Sequence, residues 1–71
     1  MNGQTIGKLA RAVGVSTDTI RFYERRGLLS PPARTDANYR LYPEKDILRL
    51  QFIKRAKALG FTLNEVKELL G

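Results

Sequence analysis

The sequence predicts a small, mainly α-helical domain of four helices, with a short β-hairpin between the second helix and the third. Apolar residues recur at helical spacing in four segments, and three of these segments end at a glycine. Two adjacent prolines interrupt the helical pattern near the middle of the chain. A chain of 71 residues makes one domain, in which folding buries roughly 60% of the surface that the unfolded chain exposes.

The first two helices are predicted to lie close together within residues 5–27. Thr5 is the N-cap of the first helix and Gly14 ends it. Its apolar residues lie at positions i, i+3, i+4 and i+7: Ile6, Leu9, Ala10 and Val13. Ser16 caps the second helix and Gly27 stops it. Because only a tight turn separates the two helices, the pair is typical of a helix-turn-helix.

The hairpin is predicted over residues 31–42. Pro31 and Pro32 exclude a helix and favour an extended backbone. Turn-forming residues at 36–38 mark the tip, and Tyr39–Tyr42 alternate apolar or aromatic side chains with a basic one, as a short strand does. A hairpin that follows a helix-turn-helix is called its wing.

The third helix is predicted to begin near residue 43. Pro43 suits its first turn, where the helix dipole also favours the carboxylates of Glu44 and Asp46. Its apolar residues form two stripes, one of three residues and one of four: Ile47, Leu50 and Ile53, and Leu48, Phe52, Ala56 and Leu59. A helix that is apolar on two sides is expected to be packed between other elements.

The fourth helix is predicted to run to residue 70 after a capping box. Gly60 ends the third helix, and Thr62 and Glu65 then have the spacing at which the two side chains satisfy each other's backbone N–H groups. Phe61 and Val66 have the spacing of a hydrophobic staple. Together, the four helices and the hairpin predict a winged helix-turn-helix.

The composition excludes several classes of function. The chain has no Cys and no His, so it lacks disulfides, the usual ligands of transition metals, and an imidazole base. Its carboxylate pairs, Asp18 with Glu24 and Glu65 with Glu68, lie among cations with no evident apolar pocket for acid–base chemistry. We therefore expect no enzymatic activity and no cofactor in this chain. Its apolar runs are too short for a membrane span, so we expect a cytoplasmic protein with no membrane partner.

The net charge of +6, from 13 basic and 7 acidic residues, makes a positive field suited to an anionic polymer as the partner. The alternative is a surface that is charged only for solubility. On a helical wheel, the second helix has one polar arc: Thr17, Asp18, Arg21, Glu24 and Arg25. Thr17 and Arg21 lie one turn apart and could reach base edges together in a major groove, where Arg is the commonest reader of guanine. The alternative is a solvated face with ion pairs between neighbouring turns.

The predicted hairpin adds donors for phosphate oxygens. They are crowded into nine residues: Arg34, Asn38, Tyr39, Arg40 and Tyr42. Contacts of this kind fix the register of a protein on a duplex without reading its sequence. The alternative is that the tyrosines only cover the core while the arginines face solvent. Both hold for one tyrosine if its ring packs and its hydroxyl faces a phosphate.

Five segments of the sequence resemble the MerR (mercury-resistance) family of regulators over roughly residues 4 to 70. They are IGKLA at 6–10, VGVS at 13–16, TIRFYERRGLL at 19–29, NYRLY at 38–42 and LGFTL at 59–63. The resemblance implies a winged helix-turn-helix that binds a palindromic promoter element as a homodimer. It also implies that an effector makes the dimer bend and untwist the promoter for RNA polymerase, which is control through DNA shape.

By matching positions, the resemblance implies roles for individual residues. Thr17 and Arg21 would lie in the major groove, and the others would contact the DNA backbone: Tyr23, Arg34, Tyr39, Arg40 and Lys57, followed by Asn38 and Tyr42. The helical wheel places Tyr23 inward, so we expect its ring to be partly packed and its hydroxyl to lie on a phosphate.

Members of the family continue into a long dimerisation helix and an effector-binding region, and we expect both to lie outside these 71 residues. This chain is accordingly expected to dimerise weakly or not at all, and to bind DNA weakly because it lacks a second half-site. The sequence looks closest to metal-responsive members, which makes a metal ion a candidate effector of the longer protein.

Two other functions fit the same residues. An excisionase-like architectural protein would share the winged arrangement and bend DNA for recombination; the length of the gene beyond codon 71 would distinguish it. A protein-binding adaptor would use the basic face on an acidic partner. The adaptor would show no preference among DNA sequences in titrations at two salt concentrations.

Overall fold

The computed structural model describes residues 3–30, 32 and 41–71. Within them the chain is mainly helical, and the four predicted helices are present in order: α1 Ile6–Val13, α2 Thr17–Arg25, α3 Lys45–Ala58 and α4 Leu63–Leu70. α1 packs against α2 and α3, and α3 also packs against α4. The predicted helical class with four helices is confirmed.

The helix boundaries follow the predicted capping residues. The Thr5 hydroxyl accepts the Lys8 N–H at 3.3 Å, and the Ser16 hydroxyl accepts the Thr19 N–H at 3.1 Å. Between these two N-caps, Gly14 ends α1 with a left-handed backbone (φ 82°). A residue with a Cβ is strained in that conformation, so glycine makes the turn between α1 and α2 this short. The predicted helix-turn-helix is therefore formed by local signals.

The capping box before α4 is also present. The Thr62 hydroxyl accepts the Glu65 N–H at 3.1 Å, and the Glu65 carboxylate accepts the Thr62 N–H at 2.8 Å. Val66, one turn into α4, is fully buried. The local signal that starts α4 thus also directs its apolar side toward the core.

Most of the predicted hairpin, residues 31 and 33–40, lies outside the described residues. Tyr42, at its predicted end, forms an antiparallel bridge with Gln4. The Gln4 N–H donates to the Tyr42 carbonyl at 3.0 Å, and the Tyr42 N–H donates to the Gln4 carbonyl at 2.8 Å. The sequence did not predict this pairing, because its two partners are far apart in the chain and neither carries a local signal for the other.

α3 begins slightly later than predicted. Its first residue is Lys45, and Glu44 is the N-cap without a side-chain capping bond. Pro43 therefore precedes the helix, although its carbonyl already accepts the Asp46 N–H at 3.0 Å. The difference is one of boundary definition, because Glu44 already has helical dihedral angles.

The prediction that α3 is buried on two sides is wrong. Its first stripe faces the core, with Leu50 and Ile53 at most 1% exposed. In the second stripe Ala56 is buried, but the three larger side chains are exposed: Leu48 at 70%, Phe52 at 39% and Leu59 at 74%. α1 and α4 are the described helices that pack on α3, and they leave the second stripe facing solvent.

The core lies where the four helices and the segments between them meet. It contains side chains from every helix, from the two residues that follow the helix-turn-helix and from the segment before α3: Leu9, Ala10, Val13, Ile20, Leu28, Leu29, Tyr42, Leu50, Ile53, Ala56 and Val66. This burial accounts for most of the free energy that favours folding. Since Ile20 is fully buried, one side of α2 is fixed inward and the opposite side must face solvent.

Two basic side chains of α3 bond to the helix-turn-helix. Lys54 Nζ donates to the Val13 carbonyl at 3.0 Å, at the C-terminal end of α1. Arg49 Nε donates to the Leu28 carbonyl at 2.7 Å, just after α2. A cation at the end of a helix also interacts favourably with the helix dipole. These bonds hold the helix-turn-helix on α3 and so place α2 relative to α3.

Candidate nucleic-acid interface

The candidate interface is the outer side of α2, which we call the α2 strip: Thr17, Asp18, Arg21, Glu24 and Arg25. Arg21 and Arg25 are exposed, and Thr17 and Glu24 are half-buried. Ile20, on the other side of the helix, is 0% exposed. The helical wheel therefore predicted correctly that Arg21 and Arg25 face outward and Ile20 inward, whereas Phe22, which it placed inward, is 37% exposed.

Arg21 is held by a weak ion pair. Its Nη1 lies 3.3 Å from Oδ1 of Asp18, one turn earlier, and the two side chains are 55% and 93% exposed. An ion pair so open to water contributes little to stability. An incoming anion or a guanine edge can replace the Asp18 carboxylate with little loss, so Arg21 remains available to a ligand.

Two hydroxyl groups at the start of α2 have different roles: Ser16 caps the helix, and Thr17 belongs to the α2 strip. Ser16 caps the helix, and its hydroxyl also lies 2.9 Å from that of Thr19. Thr17, the first residue of α2, belongs to the strip and is half-buried. The strip thus combines a guanidinium and a hydroxyl one turn apart, an arrangement that suits hydrogen bonding to base edges or phosphates.

Tyr23 lies between the core and the surface. It is half-buried, its ring packs against the core, and its ring centroid is 6.0 Å from that of Phe22. This agrees with the predicted partial packing of the ring, while the contact predicted for its hydroxyl stays a prediction.

Tyr42 does not lie at the surface. It is 2% exposed, and its hydroxyl donates to Oε2 of Glu24 at 2.6 Å. A side chain buried in this way cannot reach a phosphate without leaving the core, so the predicted DNA contact of Tyr42 does not fit its position. The alternation of residues before α3 indicated a strand, but it could not show which side of that strand is covered.

Asp46 is a buried carboxyl next to this contact. It is 5% exposed, and burial raises the pKa of its carboxyl, with the negative charge of Glu24 adding to the rise. The neighbouring cations Lys45 and Arg49 act in the opposite direction, and burial is the larger effect. Glu24, near the C-terminal end of the α2 strip, therefore lies near the first turn of α3.

The remaining predicted residues are spread over other parts of the chain. Lys57 is exposed in the last turn of α3. Four residues of the predicted hairpin lie outside the described residues: Arg34, Asn38, Tyr39 and Arg40. The structure therefore brings Thr17 and Arg21 together on the outer face of α2 and places Tyr23, in the same helix, half-buried against the core.

One cation close to the strip was not singled out from the sequence. The Arg26 guanidinium carbon lies 5.8 Å from the centre of the Phe22 ring, and its Nη2 lies 3.5 Å from Oδ1 of Asn64 in α4. Phe22, four positions earlier, was the sequence signal for this contact, because residues at that spacing share a helix face. Arg26 thereby links the end of α2 to α4.

Among the described residues, no group of three or more metal-ligating side chains comes together. None of the four helices described combines the length and the apolar character that crossing a bilayer requires.

Comparison with known proteins gives a family match over nearly the whole chain. Residues 4–71 match the model of the MerR HTH family of regulatory proteins. A mercuric resistance operon regulatory protein from Bacillus cereus is 54% identical over 66 residues, which make up 93% of this chain and 50% of that protein. The chain spans about half the length of the curated relatives it matches.

Solved structures share the fold. The transcription regulator PbrR691 from Ralstonia metallidurans CH34, in complex with lead(II), has a TM-score of 0.86 at 45% identity, covering 94% of this chain and 52% of that chain. HiNmlR, a MerR family regulator lacking the sensor domain and bound to promoter DNA, has a TM-score of 0.81 at 31% identity, covering 94% of this chain and 53% of that chain.

These matches include the helix-turn-helix and both later helices, which are the elements that position the α2 strip. They agree with the resemblance carried by the sequence motifs. The chain belongs to the MerR HTH family of regulatory proteins.

Proposed function

We propose that this chain is the DNA-reading domain of a bacterial transcription regulator and that it binds double-stranded DNA sequence-specifically through the α2 strip. The single observation that carries the proposal is the exposed Arg21 on the outer side of the second helix of a helix-turn-helix. The major groove admits one α-helix, and recognition helices contact base edges from such a face. The similar regulator HiNmlR was solved bound to promoter DNA, which supports double-stranded DNA as the ligand of this chain.

The proposed contacts divide into reading and positioning. Arg21 donates to the two acceptors of a guanine, and Thr17 contacts a neighbouring base edge. The Tyr23 hydroxyl and the Lys57 ammonium contact phosphates. Residues of the predicted wing add further backbone contacts: Arg34, Asn38, Tyr39 and Arg40. These contacts fix the register in which Arg21 meets its base.

The proposal extends to the longer protein. We infer that it works in the cytoplasm as a homodimer on a palindromic promoter and that it presents the distorted promoter to RNA polymerase. Its effector is proposed to be a metal ion, since relatives include a mercuric resistance regulator and a regulator solved with lead(II).

The test is a change at the reading residue. Arg21→Ala should cost on the order of 1–3 kcal/mol at the contacted base pair and reduce sequence preference, because the buried guanine acceptors lose their partner. The measurement is the ratio of affinity for a duplex selected by the wild-type chain to that for a random duplex of equal length. Arg55→Ala, which removes an exposed cation from α3, is the charge-matched control.

The control should weaken both duplexes equally or not at all. An unchanged affinity ratio in Arg21→Ala would exclude Arg21 as a residue that contacts bases in the major groove. Absence of any preference in the wild-type chain would favour the protein-binding adaptor instead.

A further inference from the structure

Glu24 and Tyr42 join the α2 strip to the segment that precedes α3. The Tyr42 hydroxyl donates to Oε2 of Glu24 at 2.6 Å, across 18 positions of sequence. The contact is partly buried. A distance of 2.6 Å is typical of a hydroxyl bonded to a charged carboxylate, which is among the stronger hydrogen bonds in proteins.

Tyr42 is held in place by burial of its ring and by backbone hydrogen bonds. Its ring is 2% exposed in the core, and its backbone makes two hydrogen bonds with Gln4. Three residues after it, α3 begins. The hydroxyl of Tyr42 is therefore held in one position by the core, and a hydrogen bond to it restrains the side of α2 that carries Glu24.

The Glu24 side of the bond belongs to the strip. Glu24 follows Arg21 by three positions in α2, and residues at this spacing are neighbours on one helix face. A rotation of α2 about its axis would carry Glu24 and Arg21 together. Fixing Glu24 therefore also fixes the direction in which Arg21 leaves the helix.

We infer that Glu24 and Tyr42 are positioning residues: their hydrogen bond sets the rotation of α2 relative to the segment before α3, and so sets the direction of Arg21 relative to α3 and its Lys57. This inference rests on the proposed function. It gives Tyr42 a role different from the phosphate contact expected from the sequence. It also explains an acidic residue on the proposed DNA-binding face, because Glu24 accepts the Tyr42 hydroxyl.

The electrostatics around the bond support this arrangement. Glu24 lies close enough to Asp46 for its negative charge to raise the pKa of that carboxyl. α2, the segment before α3, and the first turn of α3 thus meet at one place. A carboxylate facing DNA would repel phosphates, but the Glu24 carboxylate is directed to the Tyr42 hydroxyl.

The decisive variant is Tyr42→Phe, which keeps the ring in the core and removes the hydroxyl. We expect affinity for the selected duplex to fall roughly tenfold, the lower end of what one lost hydrogen bond to a charged group is worth. Affinity for a random duplex should change much less, because phosphate contacts remain. The dependence of affinity on salt should also stay the same, since no phosphate contact is lost.

Two further variants separate positioning from packing. Glu24→Gln keeps an acceptor for the hydroxyl and should retain most of the preference for the selected duplex. Glu24→Ala should resemble Tyr42→Phe, and combining the two should cost no more than either alone, because both remove the same bond. Thermal unfolding followed by circular dichroism checks that every variant is folded at the temperature of the binding assay.

Amide hydrogen exchange of the free protein tests the same hydrogen bond without DNA. In Tyr42→Phe, amide hydrogen exchange should become faster along α2 and stay unchanged in α4. The inference is overturned if Tyr42→Phe keeps the wild-type ratio of affinities and the wild-type exchange rates in α2. It is also overturned if affinity falls equally for both duplexes with a smaller salt dependence, since that outcome identifies a phosphate contact. A wild-type chain without sequence preference instead refutes the proposed function, and the exchange rates then decide the inference alone.

Discussion

Asp46 shows how one residue can oppose the stability of the fold it belongs to. Its carboxyl sits in the first turn of α3 with 5% of its surface exposed, and burial raises its pKa above the ordinary value of 3.8. Burial thus makes this carboxyl harder to ionise in the folded state than in the unfolded chain. The destabilisation from this group is therefore absent below pH 3.8, grows as the pH rises toward the raised pKa of the folded state, and is complete above it.

Asp46→Asn, which is neutral at every pH, should therefore be more stable than the wild-type chain at neutral pH. The advantage should shrink as the pH falls toward 3.8. The measurement is the free energy of unfolding of both proteins by urea between pH 3 and pH 7. An advantage that does not change with pH would show that burial of this carboxyl is not the cause.

At the scale of elements, α3 both supports the helix-turn-helix and presents an apolar face to solvent. Leu50 is 1% exposed in the core, whereas Leu48, two residues earlier, is 70% exposed. Lys54 and Arg49 bond to carbonyls at the ends of α1 and α2. α3 therefore fixes the position of α2 through one side only, and its outer stripe contributes little to the stability of this domain.

Leu50→Ala and Leu48→Ala form a matched pair on α3. Leu50→Ala should lower the free energy of unfolding by about 2–5 kcal/mol, because it leaves a cavity in the core. Leu48→Ala should change it by no more than about 0.5 kcal/mol. Urea unfolding at pH 7 measures both. Equal losses for the two variants would mean that the outer stripe of α3 is covered.

At the scale of the whole molecule, charge complements the shape of the helix-turn-helix. The chain carries a net charge of +6, and exposed cations lie on several helices, including Arg21 on α2 and Lys57 at the end of α3. Such a field raises the rate and strength of association with a polyanion at low salt. It does not by itself select a sequence, which is why the reading residues and their positioning matter.

Lys57→Ala should reduce the salt dependence of DNA binding. If Lys57 contacts a phosphate, the slope of log K against log salt should become smaller in magnitude by about 0.9, the value for one phosphate contact. Lys45→Ala, at the opposite end of the same helix, should leave the slope unchanged. Binding isotherms at four salt concentrations give the slopes, and equal slopes for all three proteins would exclude the Lys57 contact.

Much of the fold and part of the site could be predicted from the sequence because the signals are local. Thr5, Ser16 and Thr62 cap the helices whose first residues follow them, so short-range hydrogen bonds define the starts of α1, α2 and α4. The outer position of Arg21 followed from helical periodicity, since Ile20 marks the inner side of α2. The family resemblance rests on the same local motifs.

The tertiary structure decided what depends on residues far apart in the chain. Periodicity showed two apolar stripes on α3, but only the packing of α1 and α4 decided that Leu50 is covered and Leu48 is not. The burial of Tyr42 and its bond to Glu24 depend on where the chain brings α2 and the segment before α3 together. Local sequence specifies helix ends and faces, whereas the choice of which face is covered is a property of the assembled core.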